Sequence, residues 1–412
     1  MKPKIFSKWM ILLFLAMSLI PTITTTAIDL AGRNFIITDS PEEEVAPALA
    51  YNAERGEYLA VWQNDRGGNC DDIYAQRIAA NGQLLGDWFS ISAGCPTDRR
   101  FPQVAYNTRH DQYLVVFVCV DTTGHQSLCA RRVSGTGQLY DQTDLIISSN
   151  TTFSPDVTYA YTSDNYLIAW IDISLSPLTY TVKTAAIDHL GSLVVEKTVT
   201  ASSQPKSSLA IAYNRHANRH LLVWEQENGG HDIMGIQVLG DGEDSWGPIK
   251  TYADEVDDCR MPAVAALPTS DSTIKFFVAF QRPLGMKYGI YGRLINEDGT
   301  LHSETIAASS LSKDHFMPAV AASESRQEYF VVWYTTDASG ASRVEGRRYN
   351  PVGTQQSGTI AISEKDGEYP DVTGGSVGDF LVVWEAIPLV LSDRDVVGQI
   401  FGDRVYLPLV IH

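Results

Sequence analysis

Pro47-Ala-Leu-Ala-Tyr-Asn52, a polar turn, then Tyr58-Leu-Ala-Val-Trp62: this pair of apolar segments recurs along the chain and decides its architecture. The second segment returns as Tyr113-Leu-Val-Val-Phe117, Tyr166-Leu-Ile-Ala-Trp170, His220-Leu-Leu-Val-Trp224, Phe276-Phe-Val-Ala-Phe280, Tyr329-Phe-Val-Val-Trp333 and Phe380-Leu-Val-Val-Trp384. The seven closing aromatics are 51 to 56 residues apart. These runs are apolar on both faces, as a strand covered on each side must be. The aromatics therefore read as core packing between neighbouring units.

Each unit carries two further segments. One is led by phrases such as Asp72-Ile-Tyr-Ala-Gln-Arg77 and has a small residue in its middle: Ala75, Ala130, Gly235, Gly292, Gly346 and Gly398, with Thr184 the exception. Glycine weakens a strand, so its recurrence points to a large neighbouring side chain pressed close, with the aromatic of the next strand as the candidate. The fourth segment is short, as in Phe89-Ser-Ile-Ser92 and Leu145-Ile-Ile-Ser148. Hairpin turns with Asn81-Gly82, Gly137, Gly191, Asp241-Gly242, Asp298-Gly299 and Gly353 separate the last two.

Four short strands per unit at this period predict an all-β, seven-bladed β-propeller. We label the strands a to d within each blade. The seventh unit lacks strand d, and Phe35-Ile-Ile-Thr38 stands alone at the other end. The N-terminal strand is therefore expected to close the last blade, which removes open sheet edges. The leading Pro of strand a is expected at strand position one, where no ladder donor is needed.

Lys2, Lys4 and Lys8 precede the apolar run Trp9–Ile20, which is too short to span a bilayer. Thr25-Thr26-Ala27 then offers a cleavage site, so residues 1–27 read as a signal peptide, 28–404 as the propeller and 405–412 as a tail or edge strand. The protein is thus expected to be secreted, extracellular or at the cell surface, with no membrane span after cleavage, and to be a monomer. The formal charge is −18, and loss of the three lysines takes it to −21. So acidic a chain argues against nucleic acid as a partner. In an exporting context the cysteines pair. Cys119 with Cys129 and Cys70 with Cys95 are the candidates, leaving Cys259 over.

The repeat phrase Trp62-Gln-Asn-Asp-Arg-Gly-Gly-Asn-Cys-Asp-Asp-Ile-Tyr-Ala-Gln-Arg77 resembles that of bacterial exported β-propeller proteins with Asp-Ile-Tyr-Ala-Gln-Arg units. The resemblance covers all seven units, strongly in the first and weakly in the third. It implies fold and export, and no activity. The ending Val405-Tyr-Leu-Pro-Leu-Val410 is similar to a short tail on exported proteins of filamentous green non-sulfur bacteria.

Four residues before the start of strand a stand Glu43, Asp98, Thr151, Pro205, Asp258, Asp314 and Asp366, five of the seven acidic. Arg100 and Arg260 follow two residues later, with His315 and Tyr369 nearby. One reading is a charged rim around the central channel that binds a sugar, a basic peptide or a cation; oxygen ligands of this kind suit Ca²⁺. The other is turn chemistry, in which Asp bonds its own backbone. No His-Glu-x-x-His, Gly-x-Ser-x-Gly or Cys-x-x-Cys motif occurs, and the nine His show no ligand-like spacing. Asp241-Gly-Glu-Asp244 lacks the full calcium-loop spacing. The sequence reads as a non-catalytic binding module with a protein or carbohydrate ligand. The alternative is a carbohydrate-active hydrolase or lyase with a sialidase-like site from Arg100, Arg260, Tyr369, Asp258 and Asp314, although the Ser-x-Asp-x-Gly-x-Thr-Trp box is absent.

Overall fold

The computed structural model describes residues 32–66, 70–94, 97–253, 258–269, 273–303, 306–307, 313–364, 366–375, 378–386 and 394–402. Residues 1–27, expected to be a signal peptide, Cys95 and residues 405–412 lie outside these residues. The described chain forms 28 strands in seven four-stranded antiparallel sheets. Blade one is Glu43–Asn52, Glu57–Asp65, Asp71–Ala79 and Phe89–Ser92. Blades two to six repeat it in chain order. Blade seven is Glu368–Gly374, Phe380–Ala386 and Asp395–Phe401, completed by Phe35–Ile36. Phe35 pairs with Gly398 and Ile36 with Val397, so the first strand closes the ring as the repeat count predicted.

The seven aromatic anchors are all buried. Each packs against the preceding blade: Trp62 against Leu381 and Val383, Trp170 against Leu114 and Val116, Trp384 against Phe330 and Val332. The core is thus a set of seven seams rather than one centre. The mid-strand glycines also serve close packing. A Cβ on Gly235 would lie 2.4 Å from the Tyr252 ring, on strand d. On Gly292 it would lie 2.3 Å from Phe277, and on Gly346 2.7 Å from Phe330, both on strand b. The close aromatic therefore comes from either neighbouring strand.

Strand a departs from expectation. It begins four residues before its Pro in blades one, two, three and six, so the Pro sits inside the strand. A bulge makes this possible. The register shifts between Val45 and Ala48 in blade one and at the matching step in every other blade. The residue before the Pro turns left-handed: Ala46, Phe101, Ser154, Met261, Met317 and Tyr369 all have φ near +50°, as does Ser208 before Leu209. A bulged residue leaves the ladder, so the missing Pro N–H costs nothing. The freed N–H beside it finds a side chain on the preceding blade, one residue past the anchor. Ala46 N donates to Glu385 (2.8 Å), Phe101 N to Gln63 (3.3 Å) and Met261 N to Glu225 (3.1 Å).

Cys119 and Cys129 are bridged, with Cα atoms 5.9 Å apart. Cys70 is also disulfide-bonded. Cys259 is a buried thiol.

Candidate functional site

The charged column lies at the head of strand a, where d-to-a connections and b-to-c turns meet. Three of its five carboxylates, Asp98, Asp258 and Asp314, meet the preceding blade. Asp98 accepts from Arg100 (2.8 Å) and from the backbone of Asp71 at the start of the preceding blade's strand c (3.3 Å). Asp314 accepts from Lys287 (2.7 Å) and from Tyr288 N (3.0 Å), again on the preceding blade. Burial acts to raise its pKa, but these bonds outweigh that and hold it low. Asp258 pairs with Arg260 (3.0 Å) and stands 3.8 Å from His231 of blade four.

The arginines are committed likewise. Arg100 also bonds Asp71 (2.7 Å), and burial nevertheless leaves the Asp71 carboxyl above its usual range. His315 is buried, with Nδ1 3.2 Å from Tyr288 O, and burial pushes its pKa down. Tyr369 is exposed beside Tyr334 and Arg394. Glu43 is exposed opposite Asp65, and Asp366 is half-buried. The structure therefore brings the acids together with their own blade partners, Asp98 with Arg100 and Asp258 with Arg260. It does not gather Arg100 and Arg260 into one cluster.

Two cavities open at the other end of the ring, where the a–b hairpins turn. One, of about 680 Å³, is lined by Tyr159, Tyr161, Tyr213, Arg215, His216 and Glu324 among others. The other, of about 510 Å³, is lined by Tyr51, Ser325, Gly374 and Gly375 and shares Arg215 and Glu324. These residues come from the ends of strand a in all seven blades taken together, so the cavities form the mouth of the channel. Arg215 of blade four pairs with Glu324 of blade six across that mouth (2.5 Å), and both are exposed. None of the charged-column residues lines either cavity.

Local sequence builds this mouth. Strand a ends in Tyr-Asn in blades one, two and four. The Asn caps its own turn: Asn107 Oδ1 accepts from Arg109 N and His110 N, and Asn214 Oδ1 from His216 N and Ala217 N. The Tyr bonds the left-handed residue that ends the turn. Tyr106 donates to Asp111 (2.9 Å), Tyr159 to Asp164 (2.8 Å) and Tyr213 to Asn218 (2.8 Å). Burial, then these carboxylates, raises the Tyr106 and Tyr159 pKa values. The recurring Tyr-Asn was visible in the sequence and could have flagged this end. The Arg215–Glu324 pairing was not, because the two residues are 109 apart.

No protein-family profile matches the chain, and no curated protein matches it in sequence. Solved structures do match in shape. A protein of unknown function from Dyadobacter fermentans aligns with a TM-score of 0.53 at 10% identity, over 77% of this chain and 97% of that one. The Hadza microbial sialidase Hz136 aligns with a TM-score of 0.55 at 9% identity, over 90% of this chain and 68% of that one. The β-propeller domain of the Trilobed protease from Pyrococcus furiosus, described as having an open velcro topology, aligns at 0.50 and 8% identity, over 87% and 96%. At such identities the likeness carries the propeller fold alone.

Proposed function

We propose that this chain is an exported, non-catalytic binding propeller whose ligand is a glycan held at the a–b mouth of the channel. The observation that carries the reading is the set Tyr159, Tyr161 and Tyr213 beside Arg215, His216 and Glu324 in one concave site. Aromatic faces supply apolar contact to a sugar ring, and a few polar groups fix its hydroxyls. The exposed Arg215–Glu324 pair contributes about 0–1 kcal/mol to stability, so a ligand can part it at little cost. The Cys119–Cys129 bridge and the basic-then-apolar N-terminus support export. The test is a thermal-shift screen of residues 28–412 against a glycan panel. A ligand at 100 times its Kd adds about 2.7 kcal/mol, and Tyr161→Ala or Arg215→Ala should abolish the shift. A shift that survives both variants would refute this site.

The second reading is a sialidase-like hydrolase, favoured by the fold shared with the Hz136 sialidase. Arg100 and Arg260 would have to leave their carboxylate partners to serve it. Release of fluorophore from a fluorogenic sialoside, lost in Arg260→Ala, would establish it in place of the first. The acidic rim would then hold Ca²⁺ only if a calcium-dependent melting shift vanished in Asp314→Ala.

A further inference from the structure

We propose that His110, Asp164 and His189 bind a transition-metal ion of the zinc class at the seam between blades two and three. His110 lies in the a–b turn of blade two, Asp164 ends the same turn of blade three, and His189 lies in the c–d turn of blade three. One ligand atom from each falls within 4.8 Å of the others. His110 Nε2 is 2.9 Å from Asp164 Oδ2. The two imidazoles stack with centroids 3.8 Å apart and planes 9° from parallel.

The repeat shows that this arrangement is local. At the seam of blades one and two, Arg55 occupies the place of His110 and pairs with Asp111. A permanent cation there clips the turns together and cannot bind a metal. At the place of His189, blades two and four carry Gly135 and Gly240. A Cβ on these would come within 1.8 Å of Asp111 and 2.1 Å of Asn218. Blade three alone among these replaces both the fixed cation and the glycine with imidazoles. Clipping the seam needs one of them; the second adds a donor pair beside an existing carboxylate.

The carboxylate is already oriented. Tyr159 Oη donates to Asp164 Oδ1 at 2.8 Å, leaving Oδ2 toward His110. Hydrogen bonding of a ligand's far side is how metal ligands are usually held. Other groups beside the site are Tyr161, Arg109, with Nη1 4.0 Å from Asp164 and its guanidinium over the Tyr161 ring, and Arg132, whose Nη1 donates to His189 O at 2.9 Å. Arg109 opposes a bound cation but is turned onto that ring. Two imidazoles and one carboxylate suit Zn²⁺. Tetrahedral bonds of about 2.1 Å put donors about 3.4 Å apart. His110 and Asp164, 2.9 Å apart, must part slightly to reach it, and His189 must close in from a separation within 4.8 Å. Three protein ligands leave a fourth position open. Tyr159 and Tyr161 line the neighbouring cavity, so that position is close to the channel mouth.

The test is isothermal titration of tag-free protein with zinc chloride at pH 7.5. One ion per chain is expected, with binding weakened about tenfold or more in His110→Ala and in His189→Ala. His189→Ala alters only a turn, and a melting curve verifies that it folds. Absence of saturable uptake at about 100 µM zinc, or uptake by folded His189→Ala equal to wild type, would overturn the proposal.

Discussion

The ring of Phe35 fills the space that a side chain on Gly398 would need: a Cβ there would lie 3.0 Å from it. The two residues are direct partners across the closing strands. They join the two ends of the described chain into one sheet.

Loosening this closure should destabilise the ring. Phe35 is 8% exposed, and Phe35→Ala in such a site costs about 3–5 kcal/mol. Gly398→Leu should be comparably harmful, because the strand-d ring has nowhere to go. Urea unfolding measures both. Wild-type midpoints for the two variants would contradict a stabilising closure.

The anchors should tolerate exchange in kind. Phe117 and Phe280 hold the place that Trp224 holds in blade four, and all three are fully buried. Trp224→Phe is expected to cost about 1–2 kcal/mol and Trp224→Ala about 3–5 kcal/mol. The smaller loss reflects a seam that already accepts Phe in two other blades. Denaturant melts of the pair of variants give the ratio.

Reduction should lower the melting temperature. The Cys119–Cys129 bridge closes a loop of sequence separation 10. The chain-entropy relation makes it worth about 2–3 kcal/mol. Cys119→Ser with Cys129→Ser should melt below the oxidised wild type but above the reduced protein, because reductant also opens the bridge made by Cys70; calorimetry with and without reductant separates the two.

Asp156 and Asp371 set a pH dependence. Both stand one residue past the strand-a Pro, with side chains deep in the ring. Asp156 accepts from Ile211 N and Asp371 from Leu49 N, each on the following blade. Burial raises both pKa values to about 7. The unfolded chain releases these protons near pH 4. Between the two values the folded state holds more protons, so their contribution to stability falls as pH rises from about 4 to 7 and is flat above. Asp156→Asn removes half of this effect. The variant should gain on wild type between pH 5 and pH 8 in urea midpoints; equal slopes would show that Asp156 ionises normally.

Much of the fold was legible because burial repeats. Strands flanked by blades on both sides must be apolar throughout, so Tyr58–Trp62 and its copies announced themselves. The lone Phe35–Thr38 segment announced the closure by its absence elsewhere. Proline misled at strand a. A local rule excludes it from strand interiors, but the bulge after Val45 takes it out of the ladder, and only the preceding blade's Glu385 or Gln63 makes that bulge affordable. The acidic column was legible as a column. Its partners were not, since Asp98 meets Asp71 N and Asp314 meets Tyr288 N across blade seams.

The sequence by itself determined the number of blades, their strand order and the ring closure, and offered Cys119 with Cys129 as a candidate pair that the structure bridges. Each depends on periodic burial or on near neighbours in the chain. Only the tertiary structure decided which polar groups meet: Arg215 with Glu324 over the channel mouth, and His110 with Asp164 and His189 at a seam. Such contacts join residues tens of positions apart, and curvature of the ring rather than any local pattern brings them within a few ångströms.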